Sequence, residues 1–461
     1  MTAANTNSSA IQHRWLVLWL LGTGQLTLIL DVTVVAVALP HMDTDLAVSR
    51  EVLTWVVSGY SLTFGSLLLL GGKAVDRFGP KPVVLAGLGV FTSASLVAGL
   101  AETGPVLLSG RVAQGVGAAM LSPAALSSVV RVFDGDERNR ALGIWSALGG
   151  GGAALGVLLG GLITAGPGWP WVFFINVPVG VVVCALLARF LPALQAGETA
   201  EGRVDVVGAV LVAAASGAGI FALIRAGDGG WATVTTLAGL LVAVVLAVLF
   251  SFWERGTRTP LMDPGLLLRR PVAAGTAMLL VATALTVAVF FLGSFYLQDH
   301  ERHGALATGL LFLPVALTTM AGASTAGKAF GSLGGRVLTP AGTGIVAVGF
   351  AVPVLWTSTA GVAIGLSVAG VGLGVMFVVS SATALGTVAP HEVGVASGLL
   401  STFHEFGAAG GAAIVSSVAA ASLTAQTVTG FRDAFLVCAI GAGVGAVPLT
   451  GLAPALGTAK A

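Results

Sequence analysis

Long apolar runs separated by short polar segments cover nearly the whole chain of 461 residues. A helix needs about 20 apolar residues to cross the hydrocarbon core of a bilayer, and these runs have that length. We predict fourteen membrane-spanning helices, at residues 15–39, 52–72, 83–102, 105–130, 140–164, 171–192, 205–225, 232–252, 272–297, 305–327, 337–357, 360–387, 394–422 and 432–455. The pattern therefore predicts an all-α integral membrane protein with short polar loops.

Composition excludes a soluble protein. Hydrophobic residues make up 56% of the chain and charged residues only 9%, with a mean hydropathy of +0.97, whereas soluble domains carry roughly a quarter charged residues. Sixty-six glycines suit close helix packing in lipid. Cys184 and Cys438 both fall inside apolar runs, so neither a disulfide framework nor a metal site is expected.

The distribution of Lys and Arg predicts the orientation in the membrane. With the amino terminus inside, sixteen of these residues fall in cytoplasmic segments and four outside, as the positive-inside rule requires. The inside set is Arg14, Lys73, Arg77, Lys81, Arg131, Arg138, Arg140, Arg189, Arg203, Arg255, Arg258, Arg269, Arg270, Lys328, Arg336 and Lys460, and the outside set is Arg50, Arg225, Arg302 and Arg432. We therefore expect both termini to be cytoplasmic.

A charged, glycine-rich segment occurs twice. Residues 71–82 read GGKAVDRFGPKP, and residues 326–337 read AGKAFGSLGGRV, at a constant offset of 255 residues. A repeat of this kind in two hydrophobic halves is typical of secondary transporters. We predict a six-helix bundle at 1–195, a linker with two extra helices at 196–265, and a second six-helix bundle at 266–461.

Four ionisable residues lie well inside the apolar runs: Asp31, Arg111, His404 and Glu405. A charge at the bilayer centre costs roughly 2.5–3.5 kcal/mol, so such residues are candidates for function. Asp31 and Arg111 lie about 12 Å and about 9 Å from the outer surface of the core, depths that permit an ion pair. One interpretation is a carboxylate that exchanges a proton while the guanidinium sets its pKa. The alternative is a permanent structural ion pair.

His404 and Glu405 lie near mid-bilayer in the thirteenth predicted helix. Adjacent helical residues point about 100° apart, so we expect only one of them to face a central cavity. A carboxylate there could bind a cation or carry a proton, and a histidine could titrate near neutrality. The alternative is a local pair satisfied by neighbouring helices. Tyr60 and Tyr296 also lie in apolar runs, but tyrosine is common at membrane interfaces and receives little weight.

Two further patterns concern packing and conformational change. Gly152, Gly156 and Gly160 recur every four residues and predict a groove into which a partner helix fits closely; generic packing is the alternative. Asp76 and Arg77 are hypothesised to bind neighbouring helix ends and to latch one conformation shut. The second copy has Gly331 and Ser332 instead, so the latch would be one-sided. The basic residues nearby could equally be positive-inside anchors.

These segments resemble motifs of the major facilitator superfamily, and in particular of its fourteen-helix drug/proton antiporters. The loop resembles the family signature through Gly72, Asp76, Arg77, Gly79 and Lys81. LDVTVVAVALP resembles the first-helix signature through Leu30, Asp31, Thr33, Ala38, Leu39 and Pro40. LLSGRVAQGVGAA resembles the fourth-helix motif through Arg111, Gln114, Gly115 and Gly117, and the fifth helix resembles the antiporter motif through Gly152, Gly156, Gly160 and Gly161.

GWPWVFFINVPVG and GVASGLLSTFHEFGAAGGAAI resemble two more family segments. The chain departs from the family at Pro80, at Ala36, at Val157, where a proline is usual, and at His404-Glu405, where Arg-Gln is common. The resemblance implies that Asp31 and Arg111 couple protons to transport. We also expect a substrate cavity lined by Glu405, His404, Gln114 and Thr33, and a conformational latch at Gly72, Asp76, Arg77, Gly79 and Lys81.

The chain has no P-loop, no dinucleotide-binding context and no large soluble domain, so energy must come from an ion gradient. We expect a proton-coupled exporter of small amphipathic compounds that works by alternating access, and not an enzyme. Protons are the expected coupling ion, with no cofactor and no nucleic acid partner. The Ala/Gly/Val-rich composition, with few lysines against many arginines, is typical of a high-GC bacterium. We expect a monomer in the bacterial cytoplasmic membrane. An importer or metabolite exchanger on the same fold is the alternative, kept open by Val157, and a membrane sensor or multi-spanning enzyme is a third class.

Overall fold

The computed structural model describes residues 13–192, 205–257, 260–261, 264–386, 388, 392–420 and 428–452. This part of the chain is helical and contains no strand. The first half comprises α1 (Arg14–Leu46), α2 (Arg50–Phe78), α3 (Pro80–Gly99), α4 (Gly104–Val132), α5 (Gly135–Ala165), α6 (Trp171–Phe174) and α7 (Asn176–Phe190). An inserted pair follows, α8 (Val206–Gly229) and α9 (Val234–Gly256).

The second half begins after a short helix α10 (Pro264–Leu267). It comprises α11 (Arg270–Phe295), which continues as a π-helical turn (Tyr296–His300), then α12 (Ala305–Leu355), α13 (Thr359–Leu385), α14 (Val393–Val418) and α15 (Val428–Leu452). The predicted boundary between residues 195 and 196 lies outside the described residues. Arg203, Arg258 and Lys460, which were counted among the basic residues that predict the orientation, also lie outside the described residues.

Ten helices among the described residues are long and apolar enough to cross a membrane. They are α1 to α4, the joined α6 and α7, α8, α9, α11 with its π-helical turn, α12 and α13. The predicted windows 305–327 and 337–357 both fall in α12, and the windows 140–164, 394–422 and 432–455 correspond to α5, α14 and α15. The all-helical membrane character is confirmed, and the count of fourteen spans stays a prediction.

The repeated segment is mostly helical. The predicted spans end at residue 72 and resume at residue 83, but α2 continues to Phe78 and only Gly79 breaks the helix, with φ 80° and ψ 159°. Gly334, 255 residues later, breaks α12 in nearly the same conformation, with φ 70° and ψ 169°. A positive φ favours glycine because it has no Cβ. The two halves therefore repeat a backbone feature as well as a sequence.

The two halves pack against each other at one end of the molecule, which we call the Ala47 end; it contains residues 47–49, 100–103, 166–170, 301–304 and 356–358. There Gln298 Nε2 donates to the Val37 carbonyl of α1 (2.9 Å), and Gly161 of α5 packs against Ala305 of α12. One buried apolar cluster includes residues of both α1 and α11. We call the opposite end, which contains Gly79, the Gly79 end.

Glu301 is tied into the Ala47 end by two hydrogen bonds. Its carboxylate accepts from the Tyr296 hydroxyl (2.8 Å) and from the Thr359 hydroxyl (2.9 Å). Burial by itself would raise the pKa of Glu301, but these two bonds, with His300 and His303 nearby, lower it below its ordinary value. The carboxylate therefore stays ionised while it joins the start of α13 to the end of α11.

The inserted pair covers the contact between α2 and α14, which are neighbouring helices of different halves. α8 packs on both of them, and α9 packs on α8. At the Ala47 end, Arg50 Nη1 donates to the Ser416 carbonyl (2.9 Å) and its Nη2 donates to the Ile224 carbonyl of α8 (3.2 Å). At the Gly79 end, Lys73 Nζ donates to the Pro260 carbonyl (2.9 Å). The pair is thus fastened to α2 near both ends of that helix.

Candidate functional site

Asp31 and Arg111 form a buried ion pair between α1 and α4. Arg111 Nη1 contacts Asp31 Oδ2, and the two residues are only 2% and 1% exposed. Asp31 projects from the middle of an apolar helix, so its carboxylate must find partners inside the protein. The pairing considered from the predicted depths is therefore present in the structure.

Amide side chains complete the shell around the Asp31 carboxylate. Gln114 Nε2 donates to Asp31 Oδ1 (3.0 Å), and Asn176 Nδ2 approaches the same oxygen (3.4 Å). Both amides also reach the Ser95 hydroxyl, at 2.9 Å and 3.5 Å. Four helices, α1, α3, α4 and α7, therefore contribute polar groups to one enclosed network in the first half.

Arg111 has partners that do not depend on Asp31. Its Nε donates to the Val56 carbonyl of α2 (2.9 Å), and its Nη1 donates to Gln114 Oε1 (2.9 Å). The guanidinium carbon also lies 4.4 Å from the centre of the Tyr60 ring, within the range of a cation–π interaction. The cation would remain bound if Asp31 became neutral, which is a requirement for a carboxyl group that exchanges a proton.

Gln114 and Thr33, which the sequence-based expectation places in the lining of a cavity, are both buried in this structure. Gln114 is fully buried and uses both ends of its amide in the Asp31 network. Thr33 is 6% exposed, and its hydroxyl faces the carbonyls of Ile29 and Leu30 in its own helix. The resemblance identified the motifs in which these residues lie, but it could not indicate the directions of their side chains.

The glycine groove of α5 accommodates α1, as the four-residue spacing predicted. A Cβ on Gly152 would lie 2.9 Å from Leu26, one on Gly156 would overlap the Thr33 hydroxyl, and one on Gly160 would lie 3.0 Å from the Val34 backbone. Gly161 points elsewhere, and a Cβ there would lie 2.7 Å from the Ala305 carbonyl of α12. One face of α5 thus supports the helix that carries Asp31, and a neighbouring residue contacts the other half.

Gly156→Ala is expected to lower the free energy of unfolding by about 1–3 kcal/mol, the usual cost of overpacking. The added methyl group would overlap Thr33 Oγ1 and force α5 away from α1. Adding Thr33→Ala removes that atom and should restore part of the loss. Thermal unfolding in detergent measures the change.

Gly441→Ala is the control for that series, because a Cβ at Gly441 meets nothing within 4 Å. It should unfold at the temperature of the unaltered protein or slightly above it. A Gly156→Ala protein as stable as the unaltered protein would show that α5 and α1 can separate at no cost.

Glu405 lies at the contact between the halves, on the side of α14 that faces α2. It is 8% exposed, and its Cβ lies 2.7 Å from the position that a Cβ on Gly65 would occupy. The Ser61 hydroxyl is within hydrogen-bonding range of its carboxylate. The absence of a side chain at Gly65 therefore leaves the space that admits this acid.

His404 points away from Glu405, into its own half. Its Nδ1 lies 3.0 Å from the Thr283 hydroxyl of α11, and its ring centre lies 6.0 Å from that of Phe377 in α13. The two neighbouring residues therefore serve different surfaces, as the helical angle between them predicted.

The residues of the proposed latch divide into two groups. Lys81 Nζ donates to the carbonyls of Ala188 (2.9 Å) and Leu191 (2.6 Å) at the end of α7. Asp76 and Arg77 are exposed, and among the described residues no bond joins either of them to a neighbouring helix end in this conformation. Arg77 lies over the ring of Phe78 instead. Gly72 has open space beside it, and Gly79 provides the break between α2 and α3.

Sequence reasoning missed three groups near the ion pair: Asn176, Ser95 and Tyr60. Asn176 is the one asparagine inside the predicted spans, which is a signal that could have been used. Ser95 gave none, because serine is common in apolar helices and usually bonds to its own backbone. Tyr60 was set aside as an interfacial residue, yet it is 1% exposed and contacts Arg111.

Comparison with known proteins gives one consistent result. The sequence profile of the Major Facilitator Superfamily matches residues 21–412. The chain is 33% identical over 444 residues to a puromycin resistance protein of Streptomyces alboniger, covering 92% of this chain and 86% of that protein. It is 34% identical over 433 residues to a cephamycin export protein of Amycolatopsis lactamdurans, covering 91% and 88%.

Among solved structures, the fold is similar to that of a bacterial homologue of the human lysosomal transporter Spinster, in an inward-facing and unoccupied conformation. The TM-score is 0.65, with 15% sequence identity, and the match covers 95% of this chain and 96% of that chain.

Proposed function

The chain belongs to the major facilitator superfamily, and on that premise we propose that it exports small amphipathic compounds, antibiotics among them, in exchange for protons. Two of its relatives are named for puromycin resistance and for cephamycin export. The observation that supports proton exchange is the enclosed Asp31 carboxylate with its guanidinium and amide partners. A buried acid that can be charged or neutral is the simplest carrier of a transported proton.

The proposal includes a topology. Fourteen spans form bundles at 1–195 and 266–461 with the inserted pair between them, and both termini are cytoplasmic. The excess of Lys and Arg on one side supports this orientation, and the matching glycine breaks at Gly79 and Gly334 support the division into halves. The protein acts as a monomer in a bacterial cytoplasmic membrane, catalyses no chemical reaction, uses no cofactor and binds no nucleic acid.

In this topology the Ala47 end faces the outside and is closed by contacts between the two halves. The contacts of Gln298 with Val37 and of Gly161 with Ala305 close the outer end. Substrate would enter from the Gly79 end, and rocking of the halves would open the Ala47 end for release. One proton that moves inward through 150 mV supplies roughly 3.5 kcal/mol, at about 2.3 kcal/mol per 100 mV.

Neutralisation of Asp31 would drive the change at the ion pair. The neutral acid attracts Arg111 less strongly, while the Val56 carbonyl, Gln114 and the Tyr60 ring keep the guanidinium in place. The Gln114 amide can present either its oxygen or its NH2 group, so it can bond to both forms of the acid. α1 would then be free to shift against α4 in the groove of α5.

Glu405 would hold the positive charge of a cationic substrate. Its carboxylate lies at the contact between the halves, where relative movement of α2 and α14 changes its surroundings. Phe406, whose ring lies 3.3 Å from the position that a Cβ on Gly65 would occupy, would supply aromatic contact on the same side. A carboxylate beside aromatic surface suits a lipophilic cation.

Inverted membrane vesicles test this function with ethidium as the probe, a lipophilic cation. Acidification of the vesicle interior should drive ethidium inward, and added ethidium should release protons from the vesicles. Glu405→Gln should reduce ethidium accumulation about tenfold, a loss of about 1.4 kcal/mol in binding, and spare uncharged substrates such as chloramphenicol.

His404→Gln is the matched control. His404 is the neighbour of Glu405, the substitution introduces the same residue, glutamine, and the His404 side chain points away from the contact between the halves. It should keep most of the ethidium accumulation. Proton-driven accumulation in right-side-out vesicles, with none in inverted vesicles, would instead establish the alternative, an importer.

A further inference from the structure

Tyr60 is a fully buried tyrosine whose hydroxyl has no hydrogen-bond partner. The residue is 1% exposed, and its oxygen is enclosed without a donor or acceptor. A buried polar group left in this condition costs about 1–3 kcal/mol. The ring is held between Arg111, at 4.4 Å, and Phe64, at 5.9 Å between ring centres. The ring is therefore fixed in place, and its hydroxyl is held inside the protein without a hydrogen-bond partner.

Tyr60 lies on α2 between the two buried acids. Its ring packs on Arg111, which contacts Asp31 of α1, and Gly65, five residues further along α2, packs against Glu405 of α14. Asp31 and Glu405 belong to different halves, and Tyr60 lies on α2, the helix that contacts α14. The next residue on α2, Ser61, is the one within hydrogen-bonding range of Glu405. Tyr60 is therefore placed where it can interact with both buried acids.

Resting on the proposed function, we propose that the Tyr60 hydroxyl is the proton relay between Glu405 and Asp31. The hydroxyl oxygen takes a proton from the side of one acid through a bridging water molecule, while its own proton passes to the other acid through a second water molecule. One O–H bond forms and one breaks, so the tyrosine is unchanged and no other reactant is needed. Glu405, at the contact between the halves, is then the group through which the enclosed Asp31 exchanges protons.

The relay explains how one proton serves both acids. A proton from Asp31 passes along Tyr60 to Glu405 and leaves toward the Gly79 end, and a cationic substrate then binds the ionised Glu405. After the substrate is released at the Ala47 end, a proton enters at Glu405 and returns along Tyr60 to Asp31. Occupancy by substrate and protonation of Asp31 are thereby linked across the two halves, although the two carboxylates are not in contact.

Tyr60→Phe tests the relay, because it removes the hydroxyl and keeps the ring on Arg111. The variant is reconstituted in vesicles and compared in two assays with ethidium: accumulation driven by a pH gradient, and exchange between labelled and unlabelled ethidium without a gradient. We expect the first to slow by roughly a hundredfold, the lower end of what a positioned proton-transfer group contributes. The second should keep its rate. Proton transfer should then limit the pH-driven rate. Replacing H2O with D2O should therefore slow the variant more than it slows the unaltered protein.

Tyr296→Phe is the matched control, since Tyr296 is the other of the two tyrosines and its hydroxyl bonds to Glu301. It should keep the pH-driven rate. A Tyr60→Phe protein with an unchanged pH-driven rate would overturn the relay, and so would equal slowing of both assays, which would assign the hydroxyl to the conformational change. If the unaltered protein shows no pH-driven accumulation, the proposed function itself fails. This result differs from the two results that would overturn the relay alone.

Discussion

Asp31→Asn is expected to abolish the accumulation of substrate against its gradient and to leave downhill exchange intact. The asparagine has nearly the size of the acid but cannot carry a proton at any pH in the working range. Arg111 keeps the Val56 carbonyl, Gln114 and the Tyr60 ring, so the first half should still fold. Transport of ethidium into inverted vesicles, with and without a pH gradient, measures both activities.

Asp43→Asn is the control for this experiment, because Asp43 lies in the same helix but near the Ala47 end, and the substitution is identical. It should retain accumulation driven by the pH gradient. Retention of accumulation by Asp31→Asn would remove Asp31 from the coupling role and leave the ion pair as a structural element.

Arg111→Met is expected to have the largest effect on stability, a loss of about 3–5 kcal/mol, because it leaves a buried carboxylate without its cation. Asp31 and Arg111 are both almost fully enclosed, so water cannot replace the missing partner. Coupling should be lost as well. Thermal unfolding in detergent measures the first effect and vesicle transport the second.

The double variant Asp31→Asn with Arg111→Met separates the two roles of the pair. It contains no buried charge at this site, so most of the stability should return, whereas proton-driven accumulation should not. Arg225→Met is the surface control: Arg225 lies 3.5 Å from Glu51 with 42% of its side chain exposed, and exposed ion pairs contribute about 0–1 kcal/mol. A stability loss at Arg111 no larger than at Arg225 would contradict the argument.

The sequence was sufficient to predict features that follow from hydrophobicity and helical spacing. The all-helical membrane character, the contact between Asp31 and Arg111, and the groove of α5 depend only on run lengths, depths along a helix and intervals of four residues. The offset of 255 residues correctly paired Gly79 with Gly334, since both positions need a backbone that only glycine adopts easily.

Side-chain direction is the feature that the sequence could not predict. Gln114 lies three residues after Arg111, on the same face of α4, so it joins the ion pair instead of a cavity. Asp76 and Arg77 lie on an exposed turn at the end of α2, and it is Lys81 that binds a neighbouring helix end. Tyr60 becomes notable only when its surroundings are known, since no sequence pattern tells a buried tyrosine from an interfacial one.

The inserted pair gives the molecule two unequal flanks. Along one flank, α8 and α9 form a second wall outside α2 and α14, and most of α9 has its side chains exposed to the surroundings. On the opposite flank α5 packs on α12, and no second layer stands outside them among the described helices. The contact between α2 and α14, where Glu405 lies, is therefore separated from the surrounding lipid by the inserted pair, whereas the contact between α5 and α12 is not.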